Sequence, residues 1–151
     1  LITMKTKYAL KALAQLASGP SGEPMLIGDI AEREDIPKKF LEAILAELKQ
    51  HGFVRSRKGR GGGYLLARSP DTITLASIVR VLDGPIAPVP CLSRTAYRRC
   101  EGCKDEATCG VRLALRDAHA ASVAVLETTT LADMVSRQQS AASPTALRYS
   151  I

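Results

Sequence analysis

Apolar positions recur at helical spacing from Met4 to Ser18, with Tyr8, Leu10, Leu13, Ala14 and Leu16 on the stripe and Ser18-Gly19-Pro20 as a stop. A loop over 19–24 follows, and then Leu26, Ile27, Ile30 and Ala31 mark a short second helix ending near Glu34-Asp35. Pro37 suits a first helical position, because its missing N–H has no partner to lose there. Behind it Phe40, Leu41, Ile44, Leu45 and Leu48 form a stripe that runs to Gly52, with Lys38, Lys39, Glu42 and Lys49 on the other faces. Two short helices about a tight turn, the second with basic residues near its start, match a helix-turn-helix whose second helix enters a major groove.

The pattern changes period over Phe53–Leu66. Apolar ends flank a basic, glycine-rich centre, which predicts a β-hairpin that projects Arg57, Lys58 and Arg60 into solvent. A hairpin directly behind a helix-turn-helix is the wing of a winged-helix domain. Helical spacing returns at Ile73, Leu75, Ile78, Val79 and Leu82 and closes at Asp83-Gly84-Pro85.

The segment Pro85–Pro90 is extended, since proline restricts the residue before it. From Val111 a long helix is predicted, with Val111, Leu115, Ala118, Ser122 and Val125 on a stripe thickened by alanines. Attached to an already complete domain, such a stripe is most economically buried against a second copy of the chain; folding back on its own domain is the alternative. The fold class is therefore mainly α with a small β-hairpin. Its expected units are a winged helix-turn-helix domain over 4–84, a Pro/Cys-rich sensor loop over 85–110, a dimerisation helix over 111–136 and a flexible tail over 137–151.

Composition narrows the partner. The chain of 151 residues carries a formal charge of +6 and only 4% aromatic residues with no Trp, which argues against a stacking platform for single strands and for a duplex reader. Residues 1–70 hold 12 Lys/Arg against 7 Asp/Glu, whereas residues 71–151 hold 9 against 8. Lys49, Arg55, Arg57, Lys58, Arg60 and Arg68 all fall in the acid-free stretch between Glu47 and Asp71. Lys5, Lys7 and Lys11 interrupt any secretory core and no apolar run reaches membrane length, so a cytoplasmic protein without a membrane partner is expected. Leu1-Ile2-Thr3 precedes Met4, which reads as a natural start, so those three residues read as dispensable. His51 reads as a residue at the end of the helix that begins at Pro37, and His119 as a surface or interface residue.

Four cysteines crowd into nineteen residues as Cys91-x8-Cys100-x2-Cys103-x5-Cys109. In a reducing compartment this density points to metal ligands or redox thiols rather than structural disulfides. Soft thiolates suit an iron–sulfur cluster or zinc, and Cys100-Glu-Gly-Cys103 has the spacing of a zinc knuckle. A bare thiol switch is a third reading, because Arg98, Arg99 and Lys104 lie close in sequence. A thiol oxidoreductase using Cys100 and Cys103 requires a βαβ scaffold that the pattern does not show, so a non-enzyme is expected. An adaptor dimer whose wing binds an acidic protein is the remaining alternative.

The stretches Met4–Leu13, Ile30-Ala31, Phe40-Leu41-x2-Ile44-Leu45-x2-Leu48, Gly52-Phe-Val-x-Ser-x2-Gly59-x2-Gly-Gly63-Tyr-x-Leu-Ala67 and Asp83-Gly84 together resemble the Rrf2 family of bacterial transcription regulators. The resemblance spans roughly residues 4–135 and is most specific at the wing. It implies a homodimeric winged helix-turn-helix repressor or activator bound to a double-stranded operator, often with three cysteines holding a 2Fe-2S or 4Fe-4S cluster, although some members keep the fold without one. Lys38, Lys39, Arg55, Arg57, Lys58, Arg60, Gly62, Gly63 and Tyr64 are the expected DNA-contacting residues. Cys91, Cys103 and Cys109 resemble the family's three ligands, while Cys100 is an additional thiol. Relatives complete the coordination with a His three residues past the last Cys, where this chain has Arg112, or with an acid of the first helix, where it has Lys7. The expectation is a cluster held by Cys91, Cys103 and Cys109 with Cys100 as fourth ligand, and zinc as the alternative.

Overall fold

A computed structural model describes residues 2–143. Among them, six α-helices and one antiparallel hairpin follow in order: α1 (Met4–Ser18), α2 (Ile27–Glu34), α3 (Lys38–Gln50), β1 (Val54–Arg57), β2 (Gly63–Leu66), α4 (Leu75–Leu82), α5 (Gly110–Thr128) and α6 (Leu131–Ala142). The core is built from the stripes read in the sequence. Ala9, Ala12 and Leu13 of α1 meet Ile30 of α2, Leu41, Ile44, Leu45 and Leu48 of α3, and Ile73 and Ile78 around α4. Each fully buried Leu or Ile contributes about 1.5–3 kcal/mol relative to exposure.

The turn between α2 and α3 is tight because Asp35 takes a left-handed conformation (φ 52°) and the Ile36 N–H donates to the Ala31 carbonyl at 2.9 Å. That closure buries Ile36 and sets α3 across α1 and α2. The hairpin pairs Val54 with Leu66 and Arg57 with Gly63.

Four expectations are corrected. The single helix expected over 111–136 is two helices. Thr129 and Thr130 are extended and pair with the segment before α4: the Leu75 N–H donates to the Thr129 carbonyl at 2.9 Å and the Leu131 N–H to the Ile73 carbonyl at 2.8 Å. Thr130 then restarts the helix through a capping box with Asp133, each side chain accepting from the other's backbone N–H. The tail expected to be flexible from 137 is helical as far as Ala142, and α6 lies against α1 with Leu131 and Val135 buried; residues 144–151 lie outside the described residues.

The third correction concerns Thr3. It is the N-cap of α1, its hydroxyl accepting from the Thr6 N–H, and its own N–H and hydroxyl donate to the Asp83 carboxylate. The start of α1 is thus tied to the end of α4, so Thr3 is not dispensable.

On α5, His119 and Val123 face inward against α4 and the turn Pro90–Leu92, so His119, read as a surface or interface residue, is buried within its own chain and not on the surface. The opposite side exposes Val111, Leu113, Ala114, Ala118, Ala121, Ser122 and Val125, while Leu115 of the expected stripe is half-buried. No helix among the described residues is long and apolar enough to cross a membrane.

Candidate nucleic-acid interface and cysteine site

Lys38 and Lys39 are exposed in the first turn of α3, and no side chain caps that turn. Its free N–H groups and the helix dipole therefore add to the two ammonium charges, an arrangement suited to a phosphate. Farther along, the outward face carries Glu42 and the small Ala43 and Ala46, all exposed. Lys49 spans from α3 to the hairpin, its Nζ donating to Ser56 Oγ at 2.7 Å, so helix and wing are fixed relative to each other.

Arg55, Arg57, Lys58 and Arg60 are exposed on the wing. Gly62, Gly63 and Tyr64 are placed differently. Gly62 is buried in the turn, where an added Cβ would lie 2.3 Å from the Arg57 carbonyl oxygen. Gly63 (φ +140°) lets the wing approach Met25, where a Cβ would lie 2.4 Å from that residue's carbonyl oxygen. Tyr64 packs on the core and exchanges backbone hydrogen bonds with Met25, both at 2.8 Å. Backbone geometry and packing account for these three residues, whereas the four cations are free to meet a ligand.

One contributor, Met25, escaped the sequence reading, and Arg68, read there only as part of the basic stretch, has a structural role. Met25 is a one-residue strand partner, and a single residue carries no periodicity to detect. Arg68 stacks its guanidinium 4.5 Å above the Phe53 ring, so this cation braces the base of the wing.

The cysteine loop leaves α4 and returns at α5. Cys91 sits in the turn Pro90–Leu92 and is buried; the Ser93 and Arg98 N–H groups both donate to the Pro90 carbonyl and fold the chain around it. Cys100 and Cys103 bracket a tight turn closed by the Cys103 N–H on the Cys100 carbonyl at 3.2 Å. Arg99 clamps this turn by donating to the Cys103 and Lys104 carbonyls, each at 3.0 Å. Asp105 accepts from the Ala107 N–H and the Thr108 hydroxyl; these bonds hold its carboxyl below the usual carboxylate range and shape the approach to Cys109. Cys109 is the N-cap of α5.

All four thiols line one cavity of about 450 Å³, together with Val89, Lys104, Val111 and Arg112, and none is in a disulfide. Burial, followed by the contact with Cys100, pushes the Cys91 thiol up from its ordinary value. No three His, Cys, Asp or Glu side chains among the described residues close on a point as the ligands of one ion would. The four cysteines instead line one cavity, and the irregular segment 93–109, which carries Cys100, Cys103 and Cys109, has short turns rather than regular structure. An all-sulfur donor set around a cavity fits a polynuclear iron–sulfur group.

Glu127 connects the two regions. Its carboxylate binds Arg80 of α4 and, at 3.5 Å, Arg94 of the cysteine loop, and Arg80 draws its pKa below the ordinary value.

The model of the Rrf2 family, described as an iron-dependent transcriptional regulator, matches residues 2–137. The rrf2-like helix-turn-helix-type transcriptional regulator of Rhodobacter capsulatus is 43% identical over 145 residues, covering 94% of this chain and 97% of that protein. Among solved structures, CymR, the global cysteine regulator of B. subtilis, superposes with a TM-score of 0.76 at 32% identity over 91% of this chain and 97% of that one. IscR of T. potens superposes with a TM-score of 0.72 at 28% identity over 99% and 96%. A winged helix-turn-helix with a basic wing, matched along nearly its whole length by regulators of this type, places the chain in the Rrf2 family of transcriptional regulators.

Proposed function

We propose that the chain is a homodimeric, sequence-specific regulator that binds a near-palindromic duplex operator and responds to an iron–sulfur cluster held in its cysteine loop. The observation that carries this reading is the convergence of Cys91, Cys100, Cys103 and Cys109 on one cavity at the base of α5. Lys38, Lys39 and the outward face of α3 enter the major groove, while Arg55, Arg57, Lys58 and Arg60 follow the flanking backbone or minor groove. The exposed Val111, Ala118 and Val125 face of α5 supports pairing with a second copy.

Cys91, Cys103 and Cys109 with Cys100 as fourth ligand would hold the cluster, which when bound supplies an oxidation-labile, redox-active centre. The chain transmits its state through placement. Cys109 caps α5, and Glu127 near the other end of α5 joins the cysteine loop to α4 of the winged domain, so a change in the loop alters how two winged domains are presented to DNA. A cytoplasmic setting follows from this role.

Anaerobic purification with an absorption spectrum and iron, sulfide and zinc analysis tests the reading, alongside operator titrations of loaded and apo protein. A visible charge-transfer band with matching iron and sulfide supports it. Zinc alone points to a tetrahedral thiolate site, and equal operator affinity of loaded and apo protein makes the group structural. A thiol switch without metal is the second reading, favoured by the contact between Cys91 and Cys100; metal-free protein whose operator affinity changes on oxidation would establish it.

A further inference from the structure

Arg112 has no role in the fold that explains its position. It lies in the first turn of α5, lines the cysteine cavity, and its Nε–H is buried without a hydrogen-bond partner. An unpaired buried donor costs about 1–3 kcal/mol, and the guanidinium makes no hydrogen bond or ion pair among the described residues, so Arg112 stands at the cavity as a cation without a partner.

A second observation points the same way. No side chain caps α5: Cys109 is its N-cap without a side-chain bond, and the first helical bond is from the Leu113 N–H to the Cys109 carbonyl. The N–H groups of Gly110, Val111 and Arg112 therefore lack intrahelical partners, at the positive end of a 19-residue helix. Of the cavity's carboxylates, Asp105 is already engaged by Ala107 and Thr108, which leaves Glu101 as the lining acid to offset Lys104 and Arg112. The start of α5, which lines the same cavity as the cysteines, is rich in N–H donors, and thiolate-ligated sulfur is rich in negative charge.

We propose that Arg112 and the first turn of α5 donate hydrogen bonds to the sulfur atoms of the cluster held by the four cysteines, and that they raise its reduction potential. This rests on the cluster reading above. Adding one electron adds one negative charge to the group, and donors already aimed at sulfur stabilise that charge more than they stabilise the oxidised form. Arg112 is a tuning residue in this account, not a ligand.

The test compares the full-length chain with Arg112→Gln and Arg112→Lys, loaded anaerobically with iron and sulfide and titrated against an electrode with redox mediators. Arg112→Gln at unchanged iron and sulfide content should show a more negative midpoint than the parent, with Arg112→Lys between them. Identical midpoints in a chain that does bind the cluster overturn the role of Arg112 and leave the cluster reading intact. If Arg112→Gln does not load, the Lys variant decides: a negative shift supports the proposal and a parental midpoint overturns it. Failure of both variants to load, with native circular dichroism and melting, makes Arg112 necessary for holding the group and overturns tuning. A parent chain that takes up no iron and sulfide overturns this proposal and the cluster reading together.

Discussion

Met25 and Tyr64 exchange both backbone hydrogen bonds at 2.8 Å, which anchors the wing to the chain entering α2. The contact is possible only because Gly63 has no side chain to strike the Met25 carbonyl. Gly63→Ala should therefore destabilise the domain by about 2–3 kcal/mol, from clash and left-handed backbone strain together. A thermal melt should drop by roughly 4 °C for each kcal/mol lost. An unchanged melt would mean that the Met25 bridge does not hold the wing.

Gly28 gives the opposite sign. It lies inside α2 at a helical φ with nothing within 4 Å of an added Cβ, so Gly28→Ala should leave stability equal or raise it by up to about 1 kcal/mol. The same melting experiment reads it.

Thr130 restarts the helix after the break that the sequence pattern concealed. Thr130→Ala removes the side-chain half of the capping box and should cost about 1 kcal/mol. Hydrogen exchange should speed up first in residues 131–135. Loss of protection spread evenly over the chain would show instead that α6 and the core open as one unit.

The Glu127 carboxylate, held low chiefly by its hydrogen bond from Arg80, gives stability a pH dependence. Its folded pKa lies below its ordinary value of 4.5, so its contribution is present above that value and fades as pH falls through the folded pKa. The melting difference between the parent and Glu127→Gln should thus be seen at neutral pH and shrink in acid. A difference that grows below pH 4 would contradict the assignment.

Val125 is 57% exposed on α5, and Val111, near the start of the same helix, is 60% exposed. Val125→Glu should leave the fold intact and lower the dimer fraction in sedimentation equilibrium, since the new charge would be buried only on association. On the wing, replacing Arg57, Lys58 and Arg60 with Ala should flatten the salt dependence of operator binding by about 0.9 for each phosphate contact removed. Arg60→Ala alone should cost about 1–3 kcal/mol if it reads a base edge or a narrow groove. Unaltered affinity at fixed salt would remove the wing from the interface.

Local regularities in the chain determined α1, α3 and the wing. Helical stripes and glycine-dependent turns are properties of neighbouring residues, so Leu41, Ile44, Leu45 and Leu48 read as a core face before any coordinates, and all four are buried. Cysteine spacing likewise marked the loop whose four cysteines line one cavity. Only tertiary structure decided what depends on partners distant in sequence. The pattern through Val111–Val135 is continuous for a helix, and the break at Thr129-Thr130 exists because those residues pair with Ile73–Leu75. Thr3 looked expendable until Asp83 arrived beside it, and His119 looked superficial until α4 and the turn at Cys91 covered it. That the four thiols meet Arg112 around one cavity is also a product of folding, because spacing along an irregular loop does not constrain which side chains converge.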